Sequence, residues 1–93
     1  MNVMHDRDNH VFLLRDDSRT VGRLEYEWDG TDTIRATHTH IPTKFRGQNL
    51  GDYLFKALME FVNEEKLTLI PVCPYVERKL QRMETAGENK NDT

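Results

Sequence analysis

Polar and apolar positions alternate cleanly from Thr20 to Trp28. Leu24, Tyr26 and Trp28 fall on one face, and Arg23, Glu25 and Glu27 on the other. A period of two with one apolar face predicts a half-buried strand, with the two glutamates in solvent. The short apolar run Val11 to Leu14, inside His10 to Arg15, predicts a strand before it, and Asp16, Asp17 and Ser18 between the two are turn formers. The pair reads as an antiparallel hairpin. Met1 to Asn9 is polar and charged and is expected to fray at its start. After the turn Asp29 to Asp32, Thr33 to Ile41 predicts a third strand. Strict alternation there puts Ile34, Ala36, His38 and His40 on one face and Arg35, Thr37, Thr39 and Ile41 on the other.

The period then changes. Leu50, Tyr53, Leu54, Ala57, Leu58, Phe61 and Val62 recur at helical spacing, with Asp52, Lys56, Glu60 and Asn63 opposite, and the helix is expected to end at Lys66. Leu67 to Val72 is nearly all apolar, which suits a strand buried on both faces. A helix joining two strands implies that they lie parallel. Pro74 suits the first turn of a second helix, carried to about Met83 by Val76, Leu80 and Met83. Thr85 to Thr93 is polar and is expected to be disordered. The predicted fold is α+β: an antiparallel meander, one strand-helix-strand parallel unit and a C-terminal helix, with a core over about residues 10–83.

Composition narrows the class. With 93 residues there is chain for one domain. A net charge of -3 argues against nucleic acid as a partner. No apolar run approaches the roughly 20 residues that span a bilayer, so no membrane partner is expected. One cysteine cannot form an internal disulfide, which fits a cytoplasmic protein.

Chemistry concentrates at two places. From Ile41 to Gly51 the chain reads I-P-T-K-F-R-G-Q-N-L-G, a turn with small residues between a strand and a helix. Backbone N–H groups at a helix start have no partner in the helix, and the dipole adds positive charge there, so the corner suits an anion such as phosphate. An ordinary glycine-containing loop has the same look. The second place is P-V-C-P. Cys73 ends a strand immediately before a helix, where the dipole lowers a thiol's pKa, although most free cysteines are simply small buried hydrophobes. Tyr75, two residues on, offers a phenol proton or a packing surface. His38 and His40 have a metal-ligand spacing on one strand, but no further cluster of Cys or His completes a site, and hydrogen-bonding or acid–base work fits them better. No metal is expected.

The loop resembles the acetyl-CoA signature of the GNAT superfamily of N-acetyltransferases, Arg or Gln, two residues, Gly, one residue, then Gly or Ala. Arg46 stands at its first position and Gly51 at its last. Asn49 stands where glycine is usual, and asparagine tolerates left-handed backbone better than most residues. The short, single-unit branch of that superfamily carries T-H-T-x-V-P-x-x-[YF]-R-G before the helix and C-P-Y-V after the second parallel strand. Thr37 to Gly47 and Cys73-Pro74-Tyr75-Val76 are similar to both. His40 stands where an acidic residue is common, and the tail lacks the branch's H-P-E-Y-like segment.

The resemblance implies a GNAT-like minimal domain that uses acetyl-CoA as co-substrate. The amides of Arg46, Gly47, Gln48, Asn49, Leu50 and Gly51 would bind the pyrophosphate. Pantetheine would lie between the third strand and the Leu67–Val72 strand, pairing with backbone near His40, Ile41 and Pro42, and the thioester would reach Cys73. The implied reaction is acyl transfer to an amine (a small molecule, a peptide or a protein), by direct attack or through Cys73. A non-catalytic coenzyme A-binding or interaction module is the alternative.

Overall fold

The computed structural model describes residues 1–45 and 50–82. Five strands form one sheet in the order of the chain: β1 (Asn2–Asp6), β2 (Val11–Asp16), β3 (Arg19–Trp28), β4 (Thr33–His40) and β5 (Thr68–Pro71). The first four pair antiparallel as a meander, and β5 lies parallel to β4. Between β4 and β5 come a 3-10 turn (Thr43–Phe45) and helix α1 (Gly51–Glu64). A second helix, α2, starts at residue 74 and continues through residue 82. This is the mixed α+β architecture expected of the sequence. The tail expected to be disordered lies outside the described residues.

One face of the sheet carries the core. Phe12 and Leu14 of β2, Val21, Leu24 and Tyr26 of β3, and Ile34 and Ala36 of β4 are buried against Leu54, Phe55, Leu58, Phe61 and Val62 of α1 and Val76 of α2. The helical spacing of the α1 residues makes this packing possible. The other face is open. Its charges pair across strands, Arg35 with Glu27 at 2.9 Å, or along one, Arg23 with Glu25 at 3.1 Å.

Three expectations need correction. Met1 to Asn9 does not fray as a whole, because Asn2–Asp6 forms an edge strand in full register with β2. Its inward residues are Val3 and a histidine. The His5 ring stacks on Phe12 at 4.0 Å and meets the Phe61 ring edge-on at 4.5 Å, and its Nε2 lies 2.7 Å from the Tyr26 hydroxyl. Histidine thus fills a position that an apolar pattern overlooks. Next, Leu67 to Val72 is not buried on both faces. Both helices lie on one side of the sheet, so Leu69 packs on the core while Thr68, Ile70 and Val72 are exposed. Finally, strict alternation fails in β4, with consequences for the site described below.

Helix α1 ends at a Schellman motif. Lys66 takes a left-handed φ of 54°, the Leu67 N–H bonds the Val62 carbonyl at 2.9 Å, and the Lys66 N–H reaches the Asn63 carbonyl at 3.4 Å. No helix among the described residues is long and apolar enough to cross a membrane.

Candidate functional site

Strands β4 and β5 pair only from Thr33 to Ala36 and from Thr68 to Pro71. There the Ala36 carbonyl accepts from two amides, Val72 N–H at 3.1 Å and Cys73 N–H at 2.8 Å. Beyond that point the strands part, and the β5 side of β4 is released from the ladder.

The far half of β4 is also turned over. Glu25 pairs with His38 but Tyr26 with Ala36, so Thr37 is an extra residue in the ladder. Such a bulge reverses the alternation beyond it. Ile34 and Ala36 face the helices, and so do Thr39 and Ile41, whereas His38 and His40 turn to the open face and are exposed. The expected common face of Ile34, Ala36, His38 and His40 therefore does not exist. The two imidazole rings stack on the open face with centroids 6.4 Å apart, opposite Glu25 and Arg23. Glycine at position 22 makes room for the turn on the helix side. A Cβ there would stand 2.6 Å from Ile41 Cδ1.

Cys73 sits immediately before α2, at the N-cap, with Pro74 as the first helical residue, where its missing N–H costs nothing. Cys73 as a residue is only 5% exposed. Burial pushes its pKa up, but the hydrogen bond that joins the sulfur to the Thr39 hydroxyl, together with backbone hydrogen bonds from Val76, Tyr75 and Thr39, outweighs this, and the net shift is downward. The Thr39 Oγ1 to Cys73 Sγ distance is 3.4 Å. A sulfur at an N-cap does what a Ser or Asp oxygen does there: it accepts from the second and third amides of the helix.

Tyr75 reaches from α2 to the start of α1. A Cβ on Gly51 would overlap the Tyr75 hydroxyl and stand 2.6 Å from ring carbon Cζ, so glycine is what lets the phenol approach. Burial pushes the phenol up to about 12, helped by the charge of Asp52 and a hydrogen bond to it. Asp52 in turn pairs with Lys79, one turn beyond Tyr75 on α2. The residue at the α1 N-cap, Leu50, makes no side-chain cap.

These elements enclose a cleft of about 520 Å³, lined by Thr39 of β4 and Ile41 just after it, Phe45, Leu50 at the α1 N-cap, Gly51 and Asp52 of α1, and Tyr75, Arg78, Lys79 and Arg82 from α2. Of the residues singled out in the sequence, Ile41, Leu50, Gly51 and Tyr75 line it. Cys73 lies behind Thr39, and the Pro42 carbonyl closes the 3-10 turn by accepting from Phe45 N–H at 2.9 Å. His38 and His40 are on the opposite side of the sheet. Arg46, Gly47, Gln48 and Asn49 lie outside the described residues. Sequence reasoning missed Thr39, Asp52 and Lys79. The last was findable, because Tyr75, Arg78, Lys79 and Arg82 recur at helical spacing.

Comparison with known proteins gives a consistent picture. Residues 11–88 match the family model described as GCN5-related N-acetyl-transferase. Protein NATD1 of Xenopus tropicalis is 35% identical over 79 residues, covering 84% of this chain and 72% of the relative. The same protein of Danio rerio is 34% identical with the same coverage, and that of Homo sapiens 32% identical, with 70% of its length covered. Among solved structures, a GCN5-like protein from Staphylococcus aureus, determined by NMR, superposes with a TM-score of 0.71 at 21% identity. The match covers 90% of this chain and 81% of that one, a likeness of fold.

Proposed function

The chain belongs to the GCN5-related N-acetyl-transferase family, and from that premise we propose that it is an acetyl-CoA-dependent N-acyltransferase acting on an amine. The observation that carries this reading is the parting of β4 and β5 after Ala36, beside a cleft walled by Thr39, Ile41 and Tyr75.

The residues fit such a donor. An extended pantetheine arm needs backbone partners along one side, and the edge of β4 beyond Ala36 offers them once β5 has turned away. The start of α1, with no side-chain cap at Leu50, suits a pyrophosphate, and the loop from Arg46 to Gly51 would hold it. The cleft falls in the volume range of small-molecule sites, roughly 300–1,000 Å³. When bound, acetyl-CoA supplies an acetyl group already activated as a thioester.

The chain's own residues then have limited tasks. The Thr39–Ile41 edge orients the donor, and orientation alone supplies much of a bimolecular rate. Tyr75, held protonated by its raised pKa, is a proton donor at the cleft wall. Cys73 has a lowered pKa and lies against Thr39, which favours a second route in which its sulfur carries the acetyl group before the amine takes it.

The test is release of free CoA with a panel of amines, run beside calorimetric binding of acetyl-CoA on the same sample. Amine-dependent release supports the enzyme. Binding without release with any amine supports a non-catalytic coenzyme A-binding module instead. Absence of binding refutes both.

A further inference from the structure

The two edges of the sheet are finished differently. Strand β5 is four residues long, and the N–H groups of Thr68 and Val72 turn toward β4, bonding the Asp32 and Ala36 carbonyls. Alternation puts Pro71 on the outward side, where it has no N–H to offer a further strand. Blunting of this kind keeps an exposed edge from pairing. Strand β1, at the other edge, lacks it. Asn2 to Asp6 contains no proline or lysine and pairs one for one with β2, without a bulge. Its one strand neighbour among the described residues is β2, so the outer row of β1 backbone groups is left to water or to another chain.

A groove of about 180 Å³ follows this edge on the helix side, between Val3, His5 and Arg7 and the flank of α1. Phe12 and Phe61 give it an aromatic floor. Glu60 and Glu64 stand one turn apart on its helix wall, both exposed and neither ion-paired among the described residues. The Arg7 charge is already matched by Glu65 at 3.9 Å, and its guanidinium rests over the Phe61 ring. Burial lowers the His5 pKa, so that ring adds no positive charge at neutral pH. The groove is therefore apolar at its base and acidic along its wall.

We propose that the β1 edge and this groove form a docking site for an extended basic peptide, which adds as a sixth strand and sets alternate lysine or arginine side chains against Glu60 and Glu64. Alternate side chains of a strand lie about 7 Å apart, and helical residues four apart lie about 6 Å apart, so two cations meet two carboxylates. Backbone bonds to an open edge give affinity, and the side-chain wall gives the choice of sequence. A second copy of this chain fits less well. Antiparallel β1–β1 pairing about a two-fold axis would turn the Glu60 and Glu64 wall of one protomer toward the same wall of its partner. The site lies at the opposite edge of the sheet from the split between β4 and β5, and it does not depend on the acyltransferase reading.

The experiment measures binding of a fluorescein-labelled, capped heptapeptide, Thr-Lys-Val-Lys-Val-Lys-Thr, to the full chain by anisotropy. Hydrogen exchange of the Asn2–Asp6 amides is followed with and without it. Two control peptides carry glutamate in place of lysine, or proline in place of valine. The basic peptide should bind and slow exchange in β1. Its affinity for Glu60→Gln/Glu64→Gln should be roughly fivefold lower at low salt, a difference that shrinks as salt rises. Neither control peptide should bind measurably. Unchanged affinity in a double variant that melts like wild type overturns the proposal, because the carboxylates would then read nothing. Equal binding of the proline peptide, or binding that leaves β1 exchange unchanged, overturns strand addition. A free protein that sediments as a dimer with its β1 amides already protected overturns the peptide as occupant in favour of a second copy. A wild-type protein that does not bind the basic peptide overturns the site outright.

Discussion

The hydroxyl of Thr39 on β4 lies 3.4 Å from the sulfur of Cys73, 34 residues away at the start of α2. The contact ties the released half of β4 to the helix that the cleft is built on. It also lowers the thiol's pKa, together with the helix-end amides, against the opposing effect of burial. Replacing Thr39 with valine keeps the shape and removes the hydroxyl. The midpoint of the pH dependence of alkylation by iodoacetamide should move upward in Thr39→Val, because the thiolate loses a donor. An unmoved midpoint would mean that the backbone amides alone set the thiol.

Gly51 and Tyr75 make the second prediction. A methyl group on Gly51 would overlap the Tyr75 hydroxyl, which sits at the mobile end of its side chain. Gly51→Ala should therefore swing the ring out, break its hydrogen bond to Asp52, and bring the phenol down from about 12 toward its ordinary value. Ultraviolet titration of the tyrosines reads this directly. Overpacking should cost about 1–3 kcal/mol in urea unfolding. Tyr75→Ala should relieve most of that cost in the double variant, and full additivity of the two changes would show that they do not touch.

Much of this fold was legible in the sequence, and the exceptions share a cause. The helical spacing from Leu50 to Val62 and the alternation from Leu24 to Trp28 each reflect one buried face, and pattern and burial agree except at Tyr53 and Trp28, which lie at the rim of those faces and are exposed. The bulge at Thr37 leaves no mark in residue types, yet it inverts every side chain after it. Alternation carried through it placed His38 and His40 with the core and turned Thr39 and Ile41 away from the site they line. Strand β1 was hidden because His5 does the packing work of an aromatic. Cys73-Pro74 was legible because proline at a first helical position fixes the cysteine as the N-cap. The approach of Tyr75 to Gly51 depends on tertiary placement of two helices, which no local pattern records.

His5 makes stability depend on pH. Burial against Phe12 and Phe61, and to a lesser degree the nearby Arg7 charge, lower its pKa, with Asp6 acting weakly the other way. The folded state therefore binds a proton less readily than the unfolded chain. Stability should be complete above the unfolded value of about 6.5 and fall as pH drops from there through the lowered folded value. Urea midpoints measured from pH 7.5 to 5 should decline in the wild type. The slope should be much reduced in His5→Phe, which keeps a ring on Phe12 but cannot be protonated. An identical slope in the variant would assign the effect to another group.

Lys66 occupies the left-handed position of the α1 C-terminus with φ 54°, where a Cβ is a burden. It is exposed and makes no ion pair among the described residues. Lys66→Gly should stabilise the protein, by about 0.5–1 kcal/mol, if relief of the backbone exceeds the added freedom of the unfolded chain. Thermal and urea unfolding of the two proteins measure it, and a destabilised variant would show that unfolded-state entropy dominates.

Cys73 decides between the two transfer routes, and its surroundings pull in opposite directions. The helix-end amides and Thr39 favour the thiolate, while 5% exposure behind the β4 edge limits what can reach it. Alkylation should therefore titrate with a midpoint below that of a free thiol and yet proceed slowly at its plateau, and bound CoA should slow it further. If the sulfur carries the acetyl group, acetyl-CoA alone should leave an acetylated Cys73 peptide detectable by mass spectrometry. In that case Cys73→Ala should abolish amine acetylation, and adding amine should discharge the adduct at a rate no slower than turnover. If the amine attacks directly, Cys73→Ala should retain most turnover in the presence of Tyr75. An adduct that forms but discharges more slowly than turnover would be thiol exchange beside the main reaction. We expect direct attack, because the thiol lies behind Thr39 whereas the Tyr75 phenol lines the cleft itself.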